Sequence, residues 1–214
     1  MSLTKELENT YAEFQKNAPQ PVLDTFGSGV QALSDAFDPS KVIQIGQEFP
    51  DFELQDATGK FVTRDSLLKE GALLVSFYRG EWCPFCNLEL RALQKHLPEF
   101  KAKGVSLVAI SPQLADESLS TAEKNRLEFS VLSDVGNRLA SQLGIVWSQP
   151  EAFRPIFEGF QIDWKRSYGD DSLEVPIPAT ILVNKDGVVR NTFIDPAYTK
   201  RLEPQVALEW ASKL

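Results

Sequence analysis

The chain has 214 residues, 43 % hydrophobic and 24 % charged, and its 22 Lys and Arg against 30 Asp and Glu give a formal net charge of −8. That balance suits one large domain, or one domain with an appended arm, and excludes a disordered or fibrous chain. No cluster of Lys and Arg offers a basic face for nucleic acid, and the longest apolar runs, Ala72–Val75 and Leu107–Ile110, are strand-sized against the roughly 20 residues of a membrane span. Met1–Glu13 carries Lys5, Glu6, Glu8 and Glu13, which is no signal peptide and leads to the expectation of a cytoplasmic protein. Two cysteines cannot form a secreted disulfide framework.

Leu3, Leu7, Tyr11 and Phe14 recur at helical spacing and predict a helix over Leu3–Lys16. Asn17–Pro21 breaks it, and Val22–Phe37 reads as a second helix interrupted by Gly27 and Gly29. Residues 1–42 are therefore expected to form an N-terminal helical extension. From about residue 43 to 214 short strands alternate with helices, an α/β pattern. Phe52–Leu54 and Phe61–Thr63 read as a hairpin around Thr58-Gly59, and Ala72–Tyr78 as a buried strand. A helix is expected from Pro84 to about Ala102, kinked by Pro98, then a strand over Val105–Ile110. Ser120–Arg126 reads as helix, Ser130–Leu132 as strand and Asn137–Leu143 as helix. Ile177–Val183 and Val188–Phe193 flank Lys185-Asp186-Gly187 as a second hairpin, and about Glu203–Leu214 closes the chain as a helix. The stretch 151–172 is too long for a simple connection, and its five aromatic residues predict a packed helical insertion that lines a pocket or a homodimer interface, or merely fills the core.

The chemistry concentrates at Cys83 and Cys86, separated by Pro84 and Phe85. The strand over Ala72–Tyr78 delivers the chain through Arg79-Gly80-Glu81-Trp82 to a helix beginning at Cys83 or Pro84, where proline fits the first turn. Cys83 then faces unpaired backbone N–H groups and the positive end of the helix dipole, which favours thiolate, the nucleophilic form. Cys86 lies on the same side of the first turn, placed to attack a sulfur at Cys83. Glu81 opposes the thiolate, and Arg79 offsets it if it folds over the site. With one histidine, His96, and no second cysteine pair, a closed metal site would need carboxylates or another chain.

These residues resemble a known family. Tyr78-Arg79-Gly80-Glu81-Trp82-Cys83-Pro84-Phe85-Cys86-Asn87 is similar to the peroxiredoxin-like branch of the alkyl hydroperoxide reductase and thiol-specific antioxidant (AhpC/TSA) family. The resemblance continues through Gly46–Phe52, Ala109–Pro112, Leu132–Asp134 and Pro176–Thr180. It implies an α/β thioredoxin-like fold, a central mixed sheet flanked by helices, with the N-terminal helical arm in front. It also implies a thiol-dependent peroxidase: Cys83 as peroxidatic nucleophile, Cys86 as resolving cysteine, and Arg79, Trp82, Pro84 and Pro178 as supporting residues. The only redox group is then the Cys83–Cys86 disulfide, without a cofactor. The partners are a peroxide or disulfide substrate and a dithiol reductant, thioredoxin or glutaredoxin with glutathione.

The departures from the family pattern are specific. Gly80 stands where peroxiredoxins carry Thr or Ser, and Pro178 where they carry an arginine. Glu81-Trp82-Cys83 and Cys83-Pro84-Phe85-Cys86 instead resemble thioredoxin and glutaredoxin, and Pro178 resembles the cis-proline of thioredoxin, although Phe77 replaces its buried acid. A thiol-disulfide oxidoreductase is the alternative reading. A module holding metal or an iron–sulfur cluster between subunits through Cys83 and Cys86 is the alternative of another class. His96 lies roughly 20 Å along the helix from Cys83 and is expected to be a helix residue without a role in the chemistry. Ser111-Pro112 is read as a turn and Asp134 as a cap for the following helix.

Overall fold

The computed structural model describes residues 1–214. Ser2 caps the first helix, α1 (Leu3–Asn17), by accepting from Lys5 N at 3.3 Å, and Pro19 stands at the entry to α2 (Gln20–Ala36). Gly27 and Gly29 do not interrupt α2. The reason is packing: a Cβ at Gly29 would sit 2.4 Å from the Phe153 ring, so glycine is the residue that lets this helix approach the rest of the molecule.

The α/β part begins with the hairpin β1 (Glu53–Asp56) and β2 (Phe61–Thr63), then α3 (Arg64–Leu68), β3 (Ala72–Phe77), α4 (Pro84–Lys95), α5 (Leu97–Ala102), β4 (Val105–Ser111) and α6 (Ala115–Asn125). It continues through β5 (Ser130–Ser133), α7 (Arg138–Gln142), β6 (Val146–Ser148), a 3-10 turn (Glu151–Phe153), α8 (Arg154–Gly159) and α9 (Trp164–Tyr168). The chain closes with β7 (Glu174–Pro176), β8 (Ala179–Val183), β9 (Val189–Ile194) and α10 (Pro204–Ala211).

Seven strands form one sheet in the order β2-β1-β5-β4-β3-β8-β9, and β6 pairs with β7 apart from it. The three central strands β3, β4 and β5 are parallel, while β1, β8 and β9 pair antiparallel. Ala72-Leu73-Leu74-Val75-Ser76-Phe77 is buried at every position, as a strand covered on both faces must be. One face packs under Phe49, Phe77 and Ile110, the other under Leu93, Leu97 and Phe100 of α4 and α5. The β3–β4 register sets Phe77 opposite Ile110, so both parallel strands deliver their C-terminal loops to the same end, where ligands collect in such sheets.

Several expectations change. The helix expected over Pro84–Ala102 divides at His96, because Pro98 has no N–H to continue the ladder. The strand expected over Ile177–Val183 starts at Ala179, because Glu174–Pro176 pairs with β6 instead. The helix α3 and the β6–β7 pair, both too short for a periodic signal, went unread in the sequence. Pro178, expected cis, is trans: the chain contains no cis peptide bond. An X–Pro bond prefers trans by only about 0.5–1 kcal/mol, so neighbours decide the isomer. Here Ile177 N is tied to Ile145 O at 2.6 Å on one side, and Ala179 pairs with Phe77 on the other.

Candidate active site

The loop after β3 is clamped by side chains from three elements. Gln113, buried just beyond β4, accepts from Glu81 N at 2.8 Å, and Asn87 Nδ2 donates to Glu81 O at 2.7 Å and Cys83 O at 3.1 Å. Asn125 of α6 holds Asn87 in turn, at 2.8 Å. Cys83 is the N-cap residue of α4 with extended backbone (φ −84°, ψ 112°), and Pro84 follows in the first turn. The Glu81 carboxylate is paired with Lys124 at 2.5 Å.

Both cysteines are free thiols, and neither sulfur-bearing residue is exposed to solvent. Each sulfur has its own arginine. Arg79 Nη2 donates to Cys83 Sγ at 3.1 Å, and Arg201 Nη2 to Cys86 Sγ at 3.4 Å. Burial pushes the Cys83 thiol up, but hydrogen bonding from Cys86 and the charges of Arg79 and Arg201 outweigh it and hold Cys83 well below the ordinary thiol value. Burial also pushes Cys86 up, and there the neighbouring Cys83 adds to it, so Cys86 lies well above that value. The shifts run in opposite directions, so Cys83 is the more readily ionised of the pair.

The two arginines are held differently. Arg79 makes no ion pair with a carboxylate; its guanidinium lies between aromatic rings, 4.1 Å from the Tyr198 centroid and 4.8 Å from the Trp82 centroid. Its Nε is buried and has no acceptor. Arg201 is paired with Glu89 Oε2 at 2.6 Å, the two side chains being only 1 % and 2 % exposed, and it also donates to the carbonyls of Tyr198 and Lys200. Thr180 of β8 donates to the other Glu89 oxygen at 3.3 Å. Burial raises the Glu89 carboxyl to about 7 against the opposing pull of Arg201.

The stretch 151–172 covers this site with aromatic rings. Trp82 packs against Phe157 at 5.2 Å and Trp164 at 5.9 Å, and Trp164 stacks on Tyr168 at 4.5 Å. The Tyr168 hydroxyl accepts from Trp82 Nε1 at 2.5 Å and donates to Arg79 O at 2.7 Å, so it fixes the loop on both sides of Gly80. A Cβ at Gly80 would lie 2.3 Å from that hydroxyl, so the Tyr168 side chain fills the space a larger residue would need. The rings join the N-terminal arm through Phe26, 4.7 Å from Phe153. Between arm, loop and insertion lies a cavity of about 310 Å³ lined by Phe14, Phe26, Trp82, Phe157, Ile162 and Tyr198 among others.

Of the residues singled out in the sequence, Arg79, Trp82 and Pro84 stand with the cysteines and line this cavity. Pro178 is buried but does not line it. His96 ends α4 and meets Glu99 at 2.6 Å, and Asp134 accepts from Leu139 N and Ala140 N at 2.9 Å, capping α7. The Ser111-Pro112 turn carries Gln113 into the loop clamp, a contact the sequence reading did not assign. Glu89 was also missed, although its place three residues after Cys86, on the helix face that buries Leu90 and Leu93, is a readable signal. Arg201, Tyr198 and Tyr168 had no local signal. No group of three or more His, Cys, Asp or Glu side chains is arranged to hold a metal ion.

Comparison with known proteins agrees with this architecture. The chain is 24 % identical over 168 residues to Peroxiredoxin Bcp of Escherichia coli (strain K12), covering 78 % of this chain and 95 % of that one. It is 25 % identical over 168 residues to the thiol-disulfide oxidoreductase ResA of Bacillus anthracis, covering 78 % and 79 %. The crystal structure of Peroxidoxin BcpB from Mycobacterium tuberculosis superposes with a TM-score of 0.63 at 22 % identity, over 80 % of this chain and 98 % of that one, and shows the shared thioredoxin-like fold. The homologues thus divide between peroxiredoxins and thiol-disulfide oxidoreductases. Residues 45–192 match the model of the AhpC/TSA family, and with its redox-active cysteine pair on that fold the chain belongs to this family of oxidoreductases.

Proposed function

We propose that this protein is a thiol-dependent peroxidase in which Cys83 is the peroxidatic and Cys86 the resolving cysteine. The observation that carries this reading is a buried cysteine at a helix start with an arginine 3.1 Å from its sulfur and a second thiol one turn on. The Cys83 thiolate attacks one oxygen of the peroxide; the O–O bond breaks, an S–O bond forms, and the departing alkoxide or hydroxide takes up a proton. The Cys86 thiol then condenses with the sulfenic acid, forming the disulfide and releasing water. A dithiol reductant, thioredoxin or glutaredoxin with glutathione, returns both thiols by exchange. Because neither sulfur is exposed, that reductant requires the aromatic cover to open.

The C-x-x-C pair favours one other reading, disulfide exchange with a protein or small-molecule disulfide, using the same nucleophile. Stopped-flow tryptophan fluorescence separates the two, since Trp82 adjoins Cys83. A fast phase with hydrogen peroxide that is absent in Cys83→Ser, and that stops before the disulfide in Cys86→Ser, is the expected result. A response to oxidised glutathione alone, with only free-thiol rates toward every peroxide, overturns the peroxidase reading.

A further inference from the structure

Neither sulfur is exposed, so a dithiol protein that reduces a Cys83–Cys86 disulfide reaches it only after part of the cover moves. The elements around the pair are held unequally. Six of the twelve residues of α4 are buried, and Asn87 clamps its first turn to Glu81 O, Cys83 O and Asn125. The insertion keeps Phe153, Phe157, Trp164 and Tyr168 in the main core, and two hydrogen bonds tie Tyr168 to the loop before Cys83. Of the fifteen residues of α1, only Leu3 and Leu7 are buried. They pack in one apolar cluster with Cys83, Phe85, Cys86 and Leu90, and Tyr11 adds a ring 6.4 Å from Phe85. Glu203, two residues beyond Arg201, fastens the start of this helix by accepting from Leu3 N at 3.2 Å and Thr4 N at 2.7 Å. A helix of this length is marginal on its own, so these few contacts decide whether it stays docked.

Arg79 supplies a reason for it to leave. Its guanidinium has no carboxylate partner; it meets Cys83 Sγ at 3.1 Å and otherwise lies against the rings of Tyr198 and Trp82. In the thiol form the readily ionised sulfur answers that charge. Two sulfurs joined as a disulfide carry none, so oxidation leaves Arg79 a buried cation without an anion, which is costly. Thr10 and Phe14 of α1 share a cavity wall with Arg79, so withdrawal of α1 lets water reach the guanidinium. From this arrangement we infer that α1 is a redox-sensitive cover, docked on the thiol form and released from the disulfide form, where it bares an apolar face around Phe85 and Tyr198 for a dithiol protein. The inference rests on the Cys83–Cys86 disulfide cycle of the proposed function and holds whether a peroxide or a disulfide is the oxidant. On the bared face a thiolate of the partner attacks Cys83 Sγ, the S–S bond breaks, and Cys86 leaves and takes up a proton. The partner's second thiol then releases Cys83 by the same exchange, and the partner departs as the disulfide.

The test is hydrogen–deuterium exchange of the full chain in its thiol form and after diamide, which takes two electrons and two protons from the pair to form the disulfide. Amides of α1 are expected to exchange about tenfold or more faster in the disulfide form, the scale of leaving a buried charge without its partner, while α4 and α9 are unchanged. Equal exchange of α1 in both forms overturns the switch and leaves the disulfide cycle intact. Faster exchange of α4 together with α1 overturns it in favour of an unwinding cysteine helix. Failure of diamide to join Cys83 and Cys86, read by mass, overturns the cycle itself and the switch with it. In Arg79→Met the difference between the two forms is expected to vanish, and a difference that persists overturns the charge as its cause. Glu203→Gln weakens the fastening of α1 without touching α10, for which the Glu203 side chain makes no capping bond. Reduced thioredoxin is expected to reduce the disulfide of this variant about tenfold faster, with the rate of the thiol form toward hydrogen peroxide unchanged. An unchanged thioredoxin rate, with α1 seen by exchange to be loosened, overturns α1 as the cover the reductant displaces. If neither protein reacts with peroxide, the peroxidase reading falls, while release of α1 after diamide still supports the switch.

Discussion

The two halves of the site place the same pair of groups, a sulfur and an arginine, in opposite surroundings. On the Cys83 side Arg79 lies between Tyr198 and Trp82, without a carboxylate, against an apolar cavity. On the Cys86 side Arg201 is locked to Glu89 in a sealed interior. An arginine whose charge is not answered by a carboxylate exerts its full field on the nearby sulfur, whereas one paired to a carboxylate mostly neutralises its partner. The two thiols move in opposite directions: burial raises both, contact with Cys86 and then the charges of Arg79 and Arg201 bring Cys83 down, and contact with Cys83 takes Cys86 further up.

The comparison breaks most visibly at Arg201. Arg201→Met leaves Glu89 without its cation in the interior, and loss of one member of a buried pair is expected to lower stability by about 3–5 kcal/mol in urea unfolding. A change within the range of a surface substitution would mean that the pair is hydrated.

Glu89 makes the second prediction. Its folded value, about 7, lies above the ordinary 4.5, so the folded state binds the extra proton and stability falls as pH rises through this interval. Relative to Glu89→Gln, the wild-type protein is expected to lose on the order of 3 kcal/mol between pH 4.5 and 7, at 1.36 kcal/mol per unit. A constant difference between the two proteins across that range would show that Glu89 is already ionised at its lower end.

On the other side of the site, Arg79→Met is expected to move the midpoint of iodoacetamide alkylation of Cys83 upward by about 1–3 pH units, the span over which an adjacent opposite charge acts. Measured in a Cys86→Ser background, the profile reports Cys83 alone. An unmoved midpoint would assign the thiolate to the helix start rather than to Arg79. The smallest effect belongs to Lys124→Ala, which removes a half-exposed partner of Glu81; its cost should be about 0.2–1 kcal/mol, with the alkylation profile unchanged. A shifted profile there would mean that charges outside the loop reach the sulfur.

How much of this was written locally varies along the chain. Cys83 and Pro84 opening a helix after an apolar strand were legible because each signal lies within a few residues: the apolar run of Ala72–Phe77, the proline in the first turn, the three-residue spacing to Cys86. Of the aromatic residues in 151–172, Phe153, Phe157, Trp164 and Tyr168 pack in the core, and Phe157 and Phe160 line the cavity. The expected strand boundary at Ile177 failed because a competing partner, β6, took the preceding residues.

By itself the sequence determined the α/β class, the order of the main strands and helices, and the reactive pair at the head of α4. These follow from short-range periodicity, turn residues and the fixed geometry of a helix start. Only the tertiary structure decided which charges face those sulfurs. Arg201 reaches Cys86 from 115 residues away in sequence, and Tyr168 reaches Trp82 from 86. It also decided the trans state of Pro178, where the isomers differ by only about 0.5–1 kcal/mol and the surrounding strands outweigh the local preference. Contacts of that span carry no periodic signature, because the chain between them sets no phase; they exist only once the sheet has brought its strand ends together.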